Sequence, residues 1–351
     1  MRHIVTLRGG VVSLLIFVLI VTIIPHYCQA ICEPNGSELI GHEQTFSDDS
    51  AWLATNSNER VVRILNVRTG INKTTLHGFH APVTALAFSS QAKYLFIGES
   101  DGTVLVTDPN SAKTLCYFTG MGAVVGLASS RTTDVVAIAR YITSDRMTKV
   151  SFIHAFTRKE FRTVAVEGKA VSMQLAPDDL IWAGTTNQPK ADSGNLLSYS
   201  YRTNLKYKNY SVSGDLNHIS VSSDGTKIVC AFDDASYSVF DGRGSDSLKR
   251  YVLDSIEGHC NCVTFGCYNT DLVVADDAGN VLIIRFKKNA DIRIIESRVA
   301  GNTDSMILSA DCQYLALHSP DSGVKLVDLH SVLCGSLIGL KRYHAPAAID
   351  D

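Results

Sequence analysis

Gly102-Thr103-Val104-Leu105-Val106-Thr107-Asp108 is a short apolar run, Val104 to Val106, bounded by glycine and threonine and ending on a turn-forming acid. With Asp108 as anchor, equivalent segments place Asn66, Asp108, His154, Ser200, Asp241, Arg285 and Asp328 in one column, at steps of 42, 46, 46, 41, 44 and 43 residues. Four residues before each anchor stand Val62, Val104, Val150, Leu196, Tyr237, Val281 and Val324; two before stand Ile64, Val106, Phe152, Ser198, Val239, Ile283 and Leu326. Thirteen of these fourteen are apolar, where the chain's 45% hydrophobic content would give about six. A spacing of two puts both columns on one face of a strand. The repeat therefore carries a strand buried on that face.

A second column sets the start of each unit. Twenty residues before the anchor stand Phe46, Phe88, Val221, Phe265 and Leu308, each closing an alternating strand. Turn residues follow, as in Ser222-Ser223-Asp224-Gly225 and Ser309-Ala310-Asp311, and glycines recur between units at Gly120, Gly168, Gly214, Gly258 and Gly301. A period of this length with several strands per unit is the signature of propeller blades. The sequence predicts an all-β, seven-bladed β-propeller of four-stranded antiparallel blades over residues 37–343, with a short segment 31–36 before it and a tail 344–351 after it.

Phe79-His80-Ala81-Pro82-Val83, Leu86-Ala87-Phe88-Ser89 and Ser100-Asp101-Gly102-Thr103-Val104 through Thr107-Asp108 together resemble a WD repeat of the G-beta-like family. Gly258-His259, Phe240-Asp241 and Val327-Asp328 are similar pieces of the same motif. The resemblance spans nearly all of residues 40–340, although no Trp-Asp pair occurs. It implies a non-enzymatic scaffold that binds a protein or peptide.

Units three and four depart from the period. Ala128 stands 26 residues before His154, and Leu175 stands 25 before Ser200, against 20 elsewhere. The extra residues are expected in the turns between second and third strands, at Arg140 to Lys149 and Thr185 to Gly194. Insertions in repeat proteins tend to mark the binding face. Arg140, Tyr141, Arg146, Lys149, Trp182, Lys190 and Asp192 are the candidate partner contacts, because Arg, Tyr and Trp concentrate interface energy.

The N-terminus has its own composition. Arg2 and Arg8 precede an uncharged run from Gly9 to Ile24, Pro25 breaks it, and Cys28-Gln29-Ala30 offers small residues for cleavage. This is a signal-peptide layout over residues 1–30. An uncleaved anchor is the competing expectation, against which the run is short of the ~20 residues that span a bilayer. Cleavage would take two basic residues and no acidic one, moving the formal charge from −3 to −5. A mildly acidic surface argues against nucleic-acid binding, and a membrane partner is expected only with the anchor retained.

Secretion would make disulfides and glycans possible. The disulfide candidates are Cys32 and Cys334, placed to latch the two ends of the ring, and the cluster Cys260, Cys262 and Cys267. Closing a loop of about 300 residues contributes roughly 5 kcal/mol on the chain-entropy description. Sequons stand at Asn35, Asn72 and Asn209. The Cys260–Cys267 cluster, with His259, has poor spacing for a tetrahedral metal, since Cys260 and Cys262 are expected on one strand face. Asp233-Asp234 and Asp276-Asp277 read as turn acids. No catalytic motif, metal or cofactor is expected. The alternatives are a secreted enzyme of lactonase-like or dehydrogenase-like type with its site at the central channel, and a membrane-tethered lumenal scaffold.

Overall fold

The computed structural model describes residues 43–56, 60–177, 180–186, 193–203, 206–234, 236–242, 249–252, 260–266, 271–276, 280–285, 292–296, 303, 305–319, 323–329, 342–343 and 348–349. Residues 1–36, with Cys32 and Asn35, lie outside the described residues, as do Lys190, Asp192, His259, Cys267, Asp277, Cys334 and most of the tail.

Seven antiparallel sheets follow one another along the chain. Blade 1 holds β1 (Gln44–Phe46), β2 (Trp52–Asn56), β3 (Val62–Asn66) and β4 (Asn72–Leu76); blade 2 holds β5 (Val83–Phe88), β6 (Leu95–Glu99), β7 (Val104–Asp108) and β8 (Lys113–Phe118). Blade 3 holds β9 (Ala123–Ser129), β10 (Val135–Ile142), β11 (Met147–His154) and β12 (Lys159–Glu167); blade 4 holds β13 (Lys169–Leu175), β14 (Leu180–Thr186), β15 (Ser193–Ser200) and β16 (Lys206–Ser213). Blade 5 holds β17 (Leu216–Val221), β18 (Lys227–Phe232), β19 (Ser236–Asp241) and β20 (Lys249–Val252); blade 6 holds β21 (Cys260–Phe265), β22 (Asp271–Asp276), β23 (Val281–Arg285) and β24 (Ile292–Glu296). Blade 7 shows β25 (Ser305–Leu308), β26 (Tyr314–Ser319) and β27 (Gly323–Asp328) among the described residues. Two short strands, β28 (Arg342–Tyr343) and β29 (Ala348–Ile349), add to the outer edges of blades 6 and 5.

Each inner strand packs on the next, from β1 round to β25, and β25 returns to β1. The two apolar columns explain why. Val62 and Ile64 pack on blade 2, Val104 and Val106 on blade 3, and Val150 and Phe152 on blade 4. Val281 and Ile283 pack on blade 7, whose Leu326 packs in turn on Phe46 and Leu53 of blade 1. One buried cluster therefore fills each junction, and the repeated column face always points at the following blade.

The turn after the inner strand is a repeated device. Ser47 donates to Asp49 at 2.5 Å, Ser222 to Asp224 at 2.7 Å and Ser309 to Asp311 at 2.6 Å. The same serine oxygens accept the N–H of Trp52, Lys227 and Tyr314 at the start of the next strand. A short Ser-x-Asp step thus closes the turn, with the residue after the acid (Ser50, Gly225 or Cys312) in the left-handed region.

Most inner strands also carry a β-bulge at the same place. The register against the second strand shifts between Val83 and Ala85, Ala170 and Ser172, Leu216 and His218, and Cys260 and Cys262. The extra residue turns its side chain toward the neighbouring blade. Thr84 donates to Val124 O at 2.7 Å, Asn217 to Cys260 O at 3.3 Å and Asn261 to Thr303 O at 2.8 Å. Ring closure uses the same idea, with Gln44 Nε2 donating to Ala316 O at 3.1 Å and Asp311 N–H to Ser50 Oγ at 3.0 Å.

Candidate partner-binding face

Blade 3 projects the longest second-to-third-strand hairpin that the structure describes in full. Its β10 and β11 are eight residues each, paired from Val135↔His154 up to Ile142↔Met147, whereas β6 and β7 of blade 2 are five each. The inserted residues therefore lengthen two strands and leave only a short turn at 143–146, in place of the expected loop. Regular pairing satisfies the added backbone groups, which a long loop would have left to water.

That placement sorts the sequence-derived contacts. Residues 143–146 and Lys149 are exposed, and Tyr141 is half-buried. Arg146 sits in the left-handed region at φ 53, and its carbonyl accepts the Gly168 N–H at 3.0 Å. A side chain at that φ costs energy, so the bond from the next connection holds the turn in place. Thr148 Oγ1 reinforces it, donating to Gly168 O at 2.8 Å and accepting from Ala170 N–H at 3.0 Å.

Two candidates are not surface groups. Arg140 is only 6% exposed; its Nε donates to Gly102 O at 2.9 Å, and burial lowers its affinity for the proton, opposed by Glu160. Its guanidinium lies against Gly120, so it fastens blade 3 to the blade 2 turn and the connection between the blades. Trp182 is fully buried in the core between blades 4 and 5, because its position on β14 faces the following blade. Neither is presented to a partner.

The inner strands enclose a channel of ≈ 680 Å³. Its wall is uneven: Phe88, Val125 and Leu127 line one part, and Gln174, His218 and Thr264 another. His218 Nδ1 donates to Val263 O at 3.0 Å, and burial pushes its imidazole down to about 4 while that bond partly opposes the shift. The ring is therefore neutral near pH 7. At one mouth, burial raises the Asp48 carboxyl above its usual range, opposed by the charge of Arg131.

The WD domain, G-beta repeat family matches residues 70–108, the run from the end of blade 1 to the anchor of blade 2. The chain is a seven-bladed propeller with a WD repeat in it. Among solved structures it is similar to Kuenenia stuttgartiensis hydrazine synthase, with a TM-score of 0.73 at 11% identity, over 85% of this chain and 97% of that one. At that identity the likeness shows the fold alone.

Further sequence expectations are settled by the bulge. Cys260 and Cys262 do not share a face of the propeller: the register shift sends Cys260 into the core toward blade 5 and Cys262 into the core toward blade 7. Cys260 is a free thiol in the structure. Burial pushes the Cys260 thiol well up, chiefly by desolvation.

The described acids of the two pairs, Asp233, Asp234 and Asp276, make structural hydrogen bonds. Asp276 accepts from Asn280 N–H at 2.7 Å and Nδ2 at 2.8 Å, Asp233 accepts from Asn217 Nδ2 at 2.9 Å, and Asp234 holds both the N–H and the hydroxyl of Ser236. Asn72 and Asn209 are both exposed on outer strands. The polar bulge residues Thr84, Asn217 and Asn261 escaped the sequence reading. Their signal was a polar residue near the start of an otherwise apolar inner strand.

Proposed function

We propose that this propeller is a non-enzymatic scaffold that binds a protein or peptide partner through the face bearing the blade 3 hairpin. One observation carries the reading. The hairpin is extended by paired strands, and its turn is anchored to the next connection by Gly168 N–H and Thr148. It is thus a stiff projection that holds Tyr141, Arg146 and Lys149 in position before binding, with Lys169 exposed beside it. Little ordering entropy remains to be lost there, which favours recognition. Its three exposed basic residues, Arg146, Lys149 and Lys169, outnumber the exposed Asp145 and Glu167, which suits a partner segment carrying carboxylates.

We also place the chain in an extracellular or secretory-lumen compartment. The layout of residues 1–30 and the exposure of the sequons at Asn72 and Asn209 support this. Mature protein beginning at Ile31 is the expected product, and retention of residues 1–30 would mean a tethered scaffold. The binding test is quantitative cross-linked capture from the native extracellular milieu with the wild type and with Tyr141→Ala/Arg146→Ala/Lys149→Ala. A partner lost only from the variant supports the reading. Identical capture by both refutes it.

A further inference from the structure

The outermost strand of every propeller blade is an open edge unless something covers it. Blades 5 and 6 already accept an added antiparallel strand there, from β29 and β28 of the same chain. The fourth strands without an added strand among the described residues are β4, β8, β12 and β16. Three carry the usual protection. In β4 the one apolar residue, Leu76, is buried. Charged Lys159, Glu160, Arg162 and Glu167 guard β12, whose Phe161 stacks on His154 at 4.4 Å. Lys206 and Lys208 mark β16.

The fourth edge differs. β8 reads Lys113-Thr114-Leu115-Cys116-Tyr117-Phe118, with its one charge at the end. Leu115 is 37% exposed and Tyr117 70%, and Met121 in the following connection is 78% exposed. Among the described residues it is an unguarded apolar edge.

We propose that β8 is a self-association site, pairing antiparallel with β8 of a second copy about a two-fold axis at Cys116. A two-fold axis perpendicular to a sheet requires one residue to face its own copy. With Cys116 at that position, Leu115 stands opposite Tyr117 of the second copy, and Tyr117 opposite its Leu115. Thr114 then meets Phe118, and Lys113 meets Thr119, so no like charges face each other. Tyr117 is already paired with Leu105 of β7, so the contact prolongs an apolar cross-strand row. Centring on Leu115 or on Tyr117 would instead place an exposed apolar residue opposite Lys113 or Thr119.

Sedimentation equilibrium of the full-length chain tests this, and a concentration-dependent dimer is expected. Leu115→Lys/Tyr117→Lys puts lysines opposite each other at two places and should weaken the dimer about tenfold or more. Leu115→Glu/Tyr117→Lys puts opposite charges in the same places and should restore association relative to the double lysine variant. Both positions are exposed, so an unchanged far-UV spectrum and melting curve are expected for each. Opposed residues in an antiparallel pair lie about 4.5–5.5 Å apart at Cα, within disulfide reach. Added diamide, which takes up two electrons and two protons as two thiols become one disulfide, should cross-link the wild type and not Cys116→Ser. A monomer at all concentrations overturns the proposal. So does a dimer indifferent to the double lysine variant, or one that Cys116 does not cross-link.

Discussion

Replacing His218 with asparagine should remove an acid sensitivity that the channel wall builds into the ring. The substitution keeps a donor near the place from which Nδ1 reaches Val263 O, so the link between blades 5 and 6 is retained. It removes the titrating imidazole. In the unfolded chain that imidazole protonates near 6.5, and in the folded chain burial pushes it down to about 4. Between those values the unfolded state binds a proton that the folded state refuses. Stability therefore falls as pH drops through 6.5, and the loss is complete near 4. The gap corresponds to ~3 kcal/mol, of which ~2.5 kcal/mol is lost by about pH 4.5. Urea unfolding followed by fluorescence of the buried Trp182 gives the assay. The quantity of interest is wild type minus variant, because carboxylates that titrate in the same range cancel in it. A difference that changes by less than ~0.5 kcal/mol between about pH 7.5 and about pH 4.5 would refute the assignment of His218 as a half-buried neutral group.

Further outcomes follow from the packing between blades 2 and 3. Gly120→Ala would set a methyl carbon 2.7 Å from Arg140 Nε, displacing a flexible side chain, and should cost about 1–2 kcal/mol. In an Arg140→Met background that cost should shrink, and denaturant melts of the double-mutant cycle measure the coupling. Gly102→Ala should be worse, at about 2 kcal/mol or more, because φ is +94 and the new carbon would meet the carbonyl oxygens of Gly120 and Gly122. Thiol labelling of the native protein should modify half-buried Cys116 first and reach Cys230 and Cys260 only on unfolding, since both are fully buried and desolvation raises them far above reactivity. Mass spectrometry of the labelled peptides checks the order.

The blade count was legible because it depends on a local regularity. A two-residue period repeated at fixed intervals survives even where the Gly-His and Trp-Asp motifs have eroded, and Val62, Val104 and Val281 lie at the junctions that this period demands. The face assignment of Cys260 and Cys262 failed for a physical reason. One bulged residue, Asn261, resets the alternation, and spacing along the chain carries no mark of it. Arg140 and Trp182 were misplaced because their residue types suggest a surface, while their positions on β10 and β14 bury them against neighbouring blades. The insertion in blade 3 was visible as a length. That it would extend two strands rather than a loop depended on the pairing of Arg140 with Lys149 and of Tyr141 with Thr148. The links at Thr84, Asn217 and Asn261 join residues some forty positions apart; a polar residue near the start of an apolar strand marks the donor, but not the partner it reaches.

Affinity for the captured partner, measured on an immobilised surface, addresses the binding claim most directly. The Tyr141→Ala/Arg146→Ala/Lys149→Ala variant should bind at least about tenfold more weakly than wild type, as expected for removing a central aromatic and two cations. A control variant on the opposite face, Lys93→Ala/Phe156→Ala, removes an exposed cation–aromatic pair whose Nζ lies 4.2 Å from the ring centroid, and should bind like wild type. Undiminished binding by the hairpin variant, with loss in the control, would contradict the assignment and move the site to the other face of the propeller.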